Sequence, residues 1–205
     1  MSRYYLIPAR LGSKGVPKKN RLLFEATAET IPAELASQVI MATDDGVLLQ
    51  KAMDRGWHAI PRPAENTLDT SQPKEYMEFV IEAMHLEEDD EIVLLYLTYP
   101  DREWWHVEEV IRFYEEKNAT SVLCAQPALT HPFKCIYPDG DYGKPVIVHE
   151  EHRRQDYPPV LEIVHFVGVF KVGAISALGP NLYNDETMYV PILRVRDVDN
   201  LEDLD

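Results

Sequence analysis

The stretch YYLIPARLGSKGVPKKN, residues 4–20, decides the fold. YYLIP (4–8) is a short apolar run ending on Pro8, and it opens into a loop with two glycines, Gly12 and Gly15, among four cations, Arg10, Lys14, Lys18 and Lys19. In open α/β sheets, ligands bind at the carboxyl ends of strands, where such a loop lies. The glycines let the backbone turn tightly and bring its N–H groups close to an anion, while the cations supply charge and Ser13 a hydroxyl. The spacing fits neither a Walker A loop, which needs four residues between its glycines and then GK[ST], nor a dinucleotide GxGxxG. The chemistry it offers is a cradle for a polyphosphate.

Working outward, the chain alternates strands and helices. VIMAT (39–43) reads as a second buried strand, and DGVLLQKAMDRG (45–56) repeats apolar positions at helical spacing before Gly56 stops it. WHAIP (57–61) is a third strand, followed by the turn-rich RPAENTLDTSQP, long enough to line a site. Met77, Val80, Ile81 and Met84 form one apolar stripe of a helix over 71–86. EIVLLYL (91–97) has the character of a central parallel strand. A helix with Val107, Val110, Ile111 and Tyr114 follows, then a strand at SVLCAQ (121–126). This order predicts an α/β fold, a mostly parallel sheet flanked by helices with right-handed crossovers. From residue 127 Pro, Tyr and Gly become frequent, and YPDGDYGKP (137–145) predicts a hairpin. A small antiparallel extension is therefore expected over about 127–172, within one domain spanning 1–205.

Composition narrows the function. The 205 residues carry 20 basic and 35 acidic side chains, a net charge of −15, which disfavours sequence-independent binding to nucleic acid or anionic lipid. The average hides an asymmetry, since residues 1–24 hold six cations and no acid before Glu25. A positive loop on a negative body points to a local site for a small anion. No apolar run is long enough to span a membrane, and MSRYYLIPAR lacks the pattern of a secretory signal. Cys124 and Cys135 read as reduced thiols, so a cytoplasmic protein is expected. HEEH (149–152) spaces its histidines three apart rather than the four of HExxH, and no GxSxG elbow is present, so zinc hydrolase and α/β-hydrolase chemistry are not indicated.

A second constellation lies near the end, where YVPILRVRDVD finishes on Asp197 and Asp199. In a strand, residues two apart share a face, and two carboxylates on one face suit Mg²⁺, which completes its shell with phosphate oxygens and water.

The string from Ile7 to Asn20 resembles the N-terminal signature of the acylneuraminate cytidylyltransferases, the CMP-sialic acid synthetase family. That signature reads approximately IPARxGSKGxPxKN, and every fixed position is matched. ATDDGVLLQKA (42–52) is similar to the family's STDD piece, RPAENTLDTS (62–71) to RPAEL…DTAS, LLYLTYPDR (94–102) to LLQPTSPLR, RRQDYPP (153–159) to RRQDLPx and DVDNLEDLD (197–205) to IDIDT-x-x-DL. The resemblance implies a Rossmann-like nucleotidyltransferase in which CTP and a nonulosonic sugar acid give CMP-sugar and pyrophosphate. By it, Ala9, Arg10, Gly12, Ser13, Lys14, Lys19 and Asn20 would hold the nucleotide and its triphosphate, with Arg62 and Ser71 along the nucleoside. Asp197 and Asp199 would bind Mg²⁺, and Arg10, Lys19 and Asp199 would carry the chemistry. Tyr96, Lys134, Arg154 and Gln155 would face the acceptor, and relatives suggest a homodimer through the antiparallel portion.

The departures are specific. The segment between Asn20 and Thr43 is shorter than the family's and interrupted by Pro32, so the first crossover helix must be trimmed or replaced. Tyr96 stands where the family has the glutamine of LLQPTSP, and the family's NGAIYI strand reads VHFVGVFKV. Relatives continue past the position of Asp205 into a final helix. The alternatives are nucleotidyl transfer to a sugar phosphate or polyol phosphate, and a nucleotide-binding protein that has lost its chemistry.

Overall fold

In the computed structural model, which describes residues 1–12, 15–68 and 70–204, strand β1 (Arg3–Ala9) lies inside a seven-stranded sheet. Its neighbours in sequence bury opposite faces, as the two-residue period of a strand requires. Leu6 packs with Ile40, Met77, Val80, Ile92 and Leu94 on one side. Ile7 packs with Phe24, Met41, Val93, Val107 and Val110 on the other. Both side chains are wholly buried, each contributing about 1.5–3 kcal/mol of apolar burial. Burial on both faces is why the run reads as continuously apolar rather than alternating.

Strands β2 (Val39–Thr43), β3 (His58–Pro61) and β4 (Glu91–Leu94) pair in parallel around β1. Helices α1 (Lys19–Ala28), α2 (Gly46–Asp54), α3 (Pro73–Met84) and α4 (Trp104–Lys117) cover the sheet. Helix α2 is started by Asp45, whose carboxylate accepts the Val47 N–H at 2.9 Å and is gripped at 2.6 and 2.8 Å by the Arg21 fork. Asp45 resists burial, which alone would raise its pKa, because Arg21 and the helix N–H groups lower it further. Helix α3 begins on Pro73 with Gln72 and Glu75 in a reciprocal capping box.

Beyond β5 (Ser121–Pro127) the predicted change of character is found. Strands β6 (Ile136–Asp139) and β7 (Tyr142–Pro145) form a hairpin that turns at Gly140, φ +60°. Strand β8 (Leu161–Lys171) runs antiparallel between β4 and β5, and β9 (Met188–Pro191) adds in parallel at the edge. The strand order is β3-β2-β1-β4-β8-β5-β9, mostly parallel, with β8 reversed.

Strand β8 is irregular at one point. Gly168 pairs with Leu123 but Val164 pairs with Cys124, so residues 165–167 stand out of the ladder on β8. Two of their backbone polar groups are met by side chains. The Phe166 carbonyl accepts a 2.8 Å bond from Arg102, which is only 1% exposed. The Val167 N–H meets the Cys124 thiol, whose pKa burial pushes up to about 12. Arg102 also donates to the Tyr96 carbonyl at 2.8 Å and the Thr27 hydroxyl at 3.3 Å. Burial lowers its pKa to about 10, which leaves it charged at neutral pH. Three oxygens from three elements share one cation. Arg102→Ala is expected to lower stability by about 4 kcal/mol, because it leaves two buried carbonyls unpaired and a cavity. Urea unfolding measures this, and a loss below about 1 kcal/mol, the mean for point mutants, would contradict the assignment.

Two expectations shift and one holds. The apolar run at 91–97 is strand only to Leu94, since the chain then leaves the ladder to meet Arg102 and the tail. The first crossover is trimmed as expected, with α1 followed by Pro32 and a 3₁₀ turn over Ala33–Gln38. The tail is not strand at Asp197 and Asp199, because β9 ends at Pro191 and the rest is held by side chains.

Candidate functional site

A cleft of about 270 Å³ opens at the carboxyl ends of β1 and β4. Ala9, Arg10, Gly12, Lys19, Asn20, Arg62, Ser71 and Tyr96 all line it. The residues between are fixed by short local bonds. Asn20 donates to the Arg10 carbonyl at 2.8 Å, folding the glycine loop back onto the start of α1. Asp44 accepts the Leu11 N–H at 2.7 Å, a role the DD of ATDD does not announce. The first turn of α1 contains no acid, so its partial positive end adds to the cationic loop. Ser13 and Lys14 lie outside the described residues.

Lys19 is 9% exposed and is the hinge of the site. Its ammonium donates to the Val198 carbonyl at 2.6 Å and to Asp199 Oδ1 at 3.0 Å. The two ends of the chain, 179 and 180 residues apart in sequence, thus meet at one nitrogen. Gly15 shows how closely they approach, since a Cβ built there would stand 2.0 Å from the Asp199 carbonyl oxygen. Val198 is fully buried and donates its N–H to the Thr98 carbonyl at 2.8 Å. Asp197 and Asp199 flank it. Asp197 keeps an edge open to solvent, yet the atoms crowding its carboxyl raise its pKa. The Thr98 and Tyr99 hydroxyls oppose that rise, and the Asp199 charge reinforces it.

Among the described residues no three His, Cys, Asp or Glu groups form a metal cluster. Asp197 and Asp199 supply two carboxylates, and a Lys19 ammonium already rests against one of them. That donor set suits Mg²⁺ in the company of phosphates, since this ion uses one or two carboxylates and takes the remaining oxygens from phosphate and water.

Arg62 lies on the opposite wall, 9% exposed, with its guanidinium 4.8 Å from the centre of the Tyr76 ring. It bonds the Asn66 carbonyl, while its Nε is buried without a partner. Burial lowers its pKa. The Tyr76 hydroxyl is hydrogen-bonded to that of Tyr96, and burial raises both phenols. Tyr76, Thr98 and Arg102 escaped sequence reading. Tyr76 sits within a helical stripe where an aromatic reads as core, and Thr98 and Arg102 meet partners that are distant in sequence or are backbone carbonyls.

Lys134, Arg154 and Gln155 are not brought to this cleft. Lys134 and Arg154 line a separate one of about 340 Å³ with Thr130, His131 and Tyr157, and Gln155 is exposed in a 3₁₀ turn. They belong to the segments 128–134 and 154–160, which line the second cleft together.

No family model matches the chain. An N-acylneuraminate cytidylyltransferase of Streptococcus agalactiae serotype V is 30% identical over 166 residues, covering 76% of this chain and 40% of the relative. One from Escherichia coli O18:K1:H7 is 31% identical over 146 residues, covering 67% of this chain and 34% of the relative. The chain thus spans 40% or less of the length of these curated relatives. Among solved structures, a CMP:2-keto-3-deoxy-manno-octonic acid synthetase complexed with CTP matches with a TM-score of 0.67 at 17% identity, covering 100% of this chain and 95% of that one. The last likeness establishes the fold. In sequence the chain is a divergent homologue of the N-acylneuraminate cytidylyltransferases over 67–76% of its length, and its sheet has the fold of the solved synthetase.

Proposed function

We propose that the protein is a Mg²⁺-dependent cytidylyltransferase that joins CTP to a nonulosonic, sialic-type sugar acid. The anomeric hydroxyl would attack the α-phosphorus and lose its proton, the bond to the β-phosphate oxygen would break, and CMP-sugar and pyrophosphate would leave. The observation that carries this reading is the junction at Lys19, a residue of the cleft wall beside Arg10 and Gly12 whose ammonium also holds Asp199 and the Val198 carbonyl of the acid-bearing tail. Arg10 and Lys19 fit the triphosphate by charge. The unpartnered Arg62 Nε and the Ser71 region fit the nucleoside. Asp197 and Asp199 would hold Mg²⁺, whose charge offsets that developing on the leaving pyrophosphate.

The test is pyrophosphate release from CTP across a panel of sialic, legionaminic, pseudaminic and octulosonic acids. Turnover with one of them is the expected result. A folded protein that binds CTP and turns over none would defeat the sugar-acid assignment. Calorimetry with Asp199→Ala separates a second class of outcome, since CTP binding that ignores both Mg²⁺ and Asp199 would indicate a binding protein without chemistry.

One observation favours a different acceptor as the second reading. Tyr96, bonded through its hydroxyl to that of Tyr76 in the cleft lining, stands where the family's segment carries a glutamine. Adding sugar phosphates and polyol phosphates to the panel decides between the two. A homodimer belongs to the same proposal, formed through the β6–β7 hairpin, where Ile136, Tyr137 and Tyr142 are 63, 62 and 84% exposed. Sedimentation velocity measures it, and a strict monomer at assay concentration would exclude it.

A further inference from the structure

We propose that Asp101 and Arg196 are a positioning pair that sets the register of the acid-bearing tail over the glycine loop. After Ile192, whose N–H still bonds the Ala125 carbonyl at 2.8 Å, the chain leaves the sheet and runs extended toward the cleft. Extended chain has a period of two, so a slip of one residue would turn Asp197 and Asp199 away and expose Val198. The single backbone bond from Val198 to Thr98 cannot prevent that slip, because any non-proline residue offers the same N–H. Side chains must choose.

Two do so. Val198 fills a buried position, and Arg196 closes a fork on Asp101, Nε to Oδ2 at 2.9 Å and Nη2 to Oδ1 at 2.6 Å. A bidentate contact fixes direction as well as distance. It is valuable here because its anchor is stiff. Asp101 precedes Arg102, whose buried fork ties the 96–102 loop to α1 and β8. The ion pair therefore transfers the rigidity of the core to the tail, one residue before Asp197. On the far side, Asp203 accepts the N–H groups of Asp199 and Asn200 at 2.9 and 2.7 Å, closing the turn. The value of the pair for catalysis rests on the reading of Asp197 and Asp199 as metal ligands, but its effect on register does not.

The experiment uses Asp101→Asn, Arg196→Gln and the exchanged pair Asp101→Arg with Arg196→Asp in the full chain. Hydrogen exchange at the Val198 amide, without ligand, reads the register directly. Each single variant is expected to exchange about fivefold faster. Mn²⁺ binding in the presence of CTP, followed by electron paramagnetic resonance, is expected to weaken about tenfold, as when partners of metal ligands are lost. The exchanged pair is expected to restore both. Unchanged Val198 exchange in both single variants, or an exchanged pair no better than the singles, would overturn the proposal. If the unaltered protein binds no Mn²⁺ with CTP, the metal assignment fails while the exchange data still decide the register.

Discussion

Lys19→Met should lower pyrophosphate release about a thousandfold, the lower end of what a cation is worth in phosphoryl transfer. Lysine carries three N–H donors. Two are used, on Val198 and Asp199, and the third can serve a phosphate oxygen. Methionine keeps most of the stem's length and burial but removes both the tail contacts and the cation. Turnover should therefore fall through kcat more than through the KM for CTP, because the loss is of charge stabilisation that grows as the α–β bond breaks. Folding should weaken far less. Steady-state kinetics with the best acceptor of the panel, beside urea unfolding, measures the two effects. A variant that loses several kcal/mol of stability but keeps its kcat would show Lys19 to be a brace for the tail and nothing more.

Much of this arrangement was legible because its determinants are local. Two-sided burial made β1 and β2 continuous apolar runs, and both strands lie where the runs predict. The helical stripe from Met77 to Met84 has its counterpart in α3. The cleft was legible too, since a glycine-rich basic loop after a first strand leaves few other uses for its residues. What stayed hidden depends on distance in sequence. Nothing near Arg102 says that it will be buried, because its partners are carbonyls of Tyr96 and Phe166 and a hydroxyl of Thr27. The tail looked like a strand by its alternating VPILRVRDVD, yet β9 offers it no further ladder, and ion pairs and Val198 direct it instead. The placing of Lys134 and Arg154 in another cleft also follows from long-range packing, of the segments 128–134 and 154–160, which no local pattern records.

Gly15→Ala should reduce turnover about a hundredfold, the cost expected when reacting groups are displaced by about 1 Å. Alanine is barely larger than glycine, and Gly15 does not occupy the left-handed region, so its backbone imposes no conformational penalty on the substitution. The effect must come from contact alone. The new methyl carbon would meet the Asp199 carbonyl oxygen at 2.0 Å and the Asn200 side-chain oxygen at 3.2 Å. The first partner is backbone, so it cannot rotate aside, and the tail must lift. Lifting takes Asp199 from Lys19 and moves both carboxylates relative to Arg10 and the cleft. Folding should weaken as well, because the restricted unfolded chain offsets only part of what the tail loses. The control is Gly46→Ala at the start of α2, where a Cβ meets nothing within 4 Å and turnover should hold. Hydrogen exchange at Val198 supplies the structural readout, rising in Gly15→Ala and constant in Gly46→Ala. Equal turnover in the two variants would mean that the glycine loop and the acid tail do not act together on the substrate.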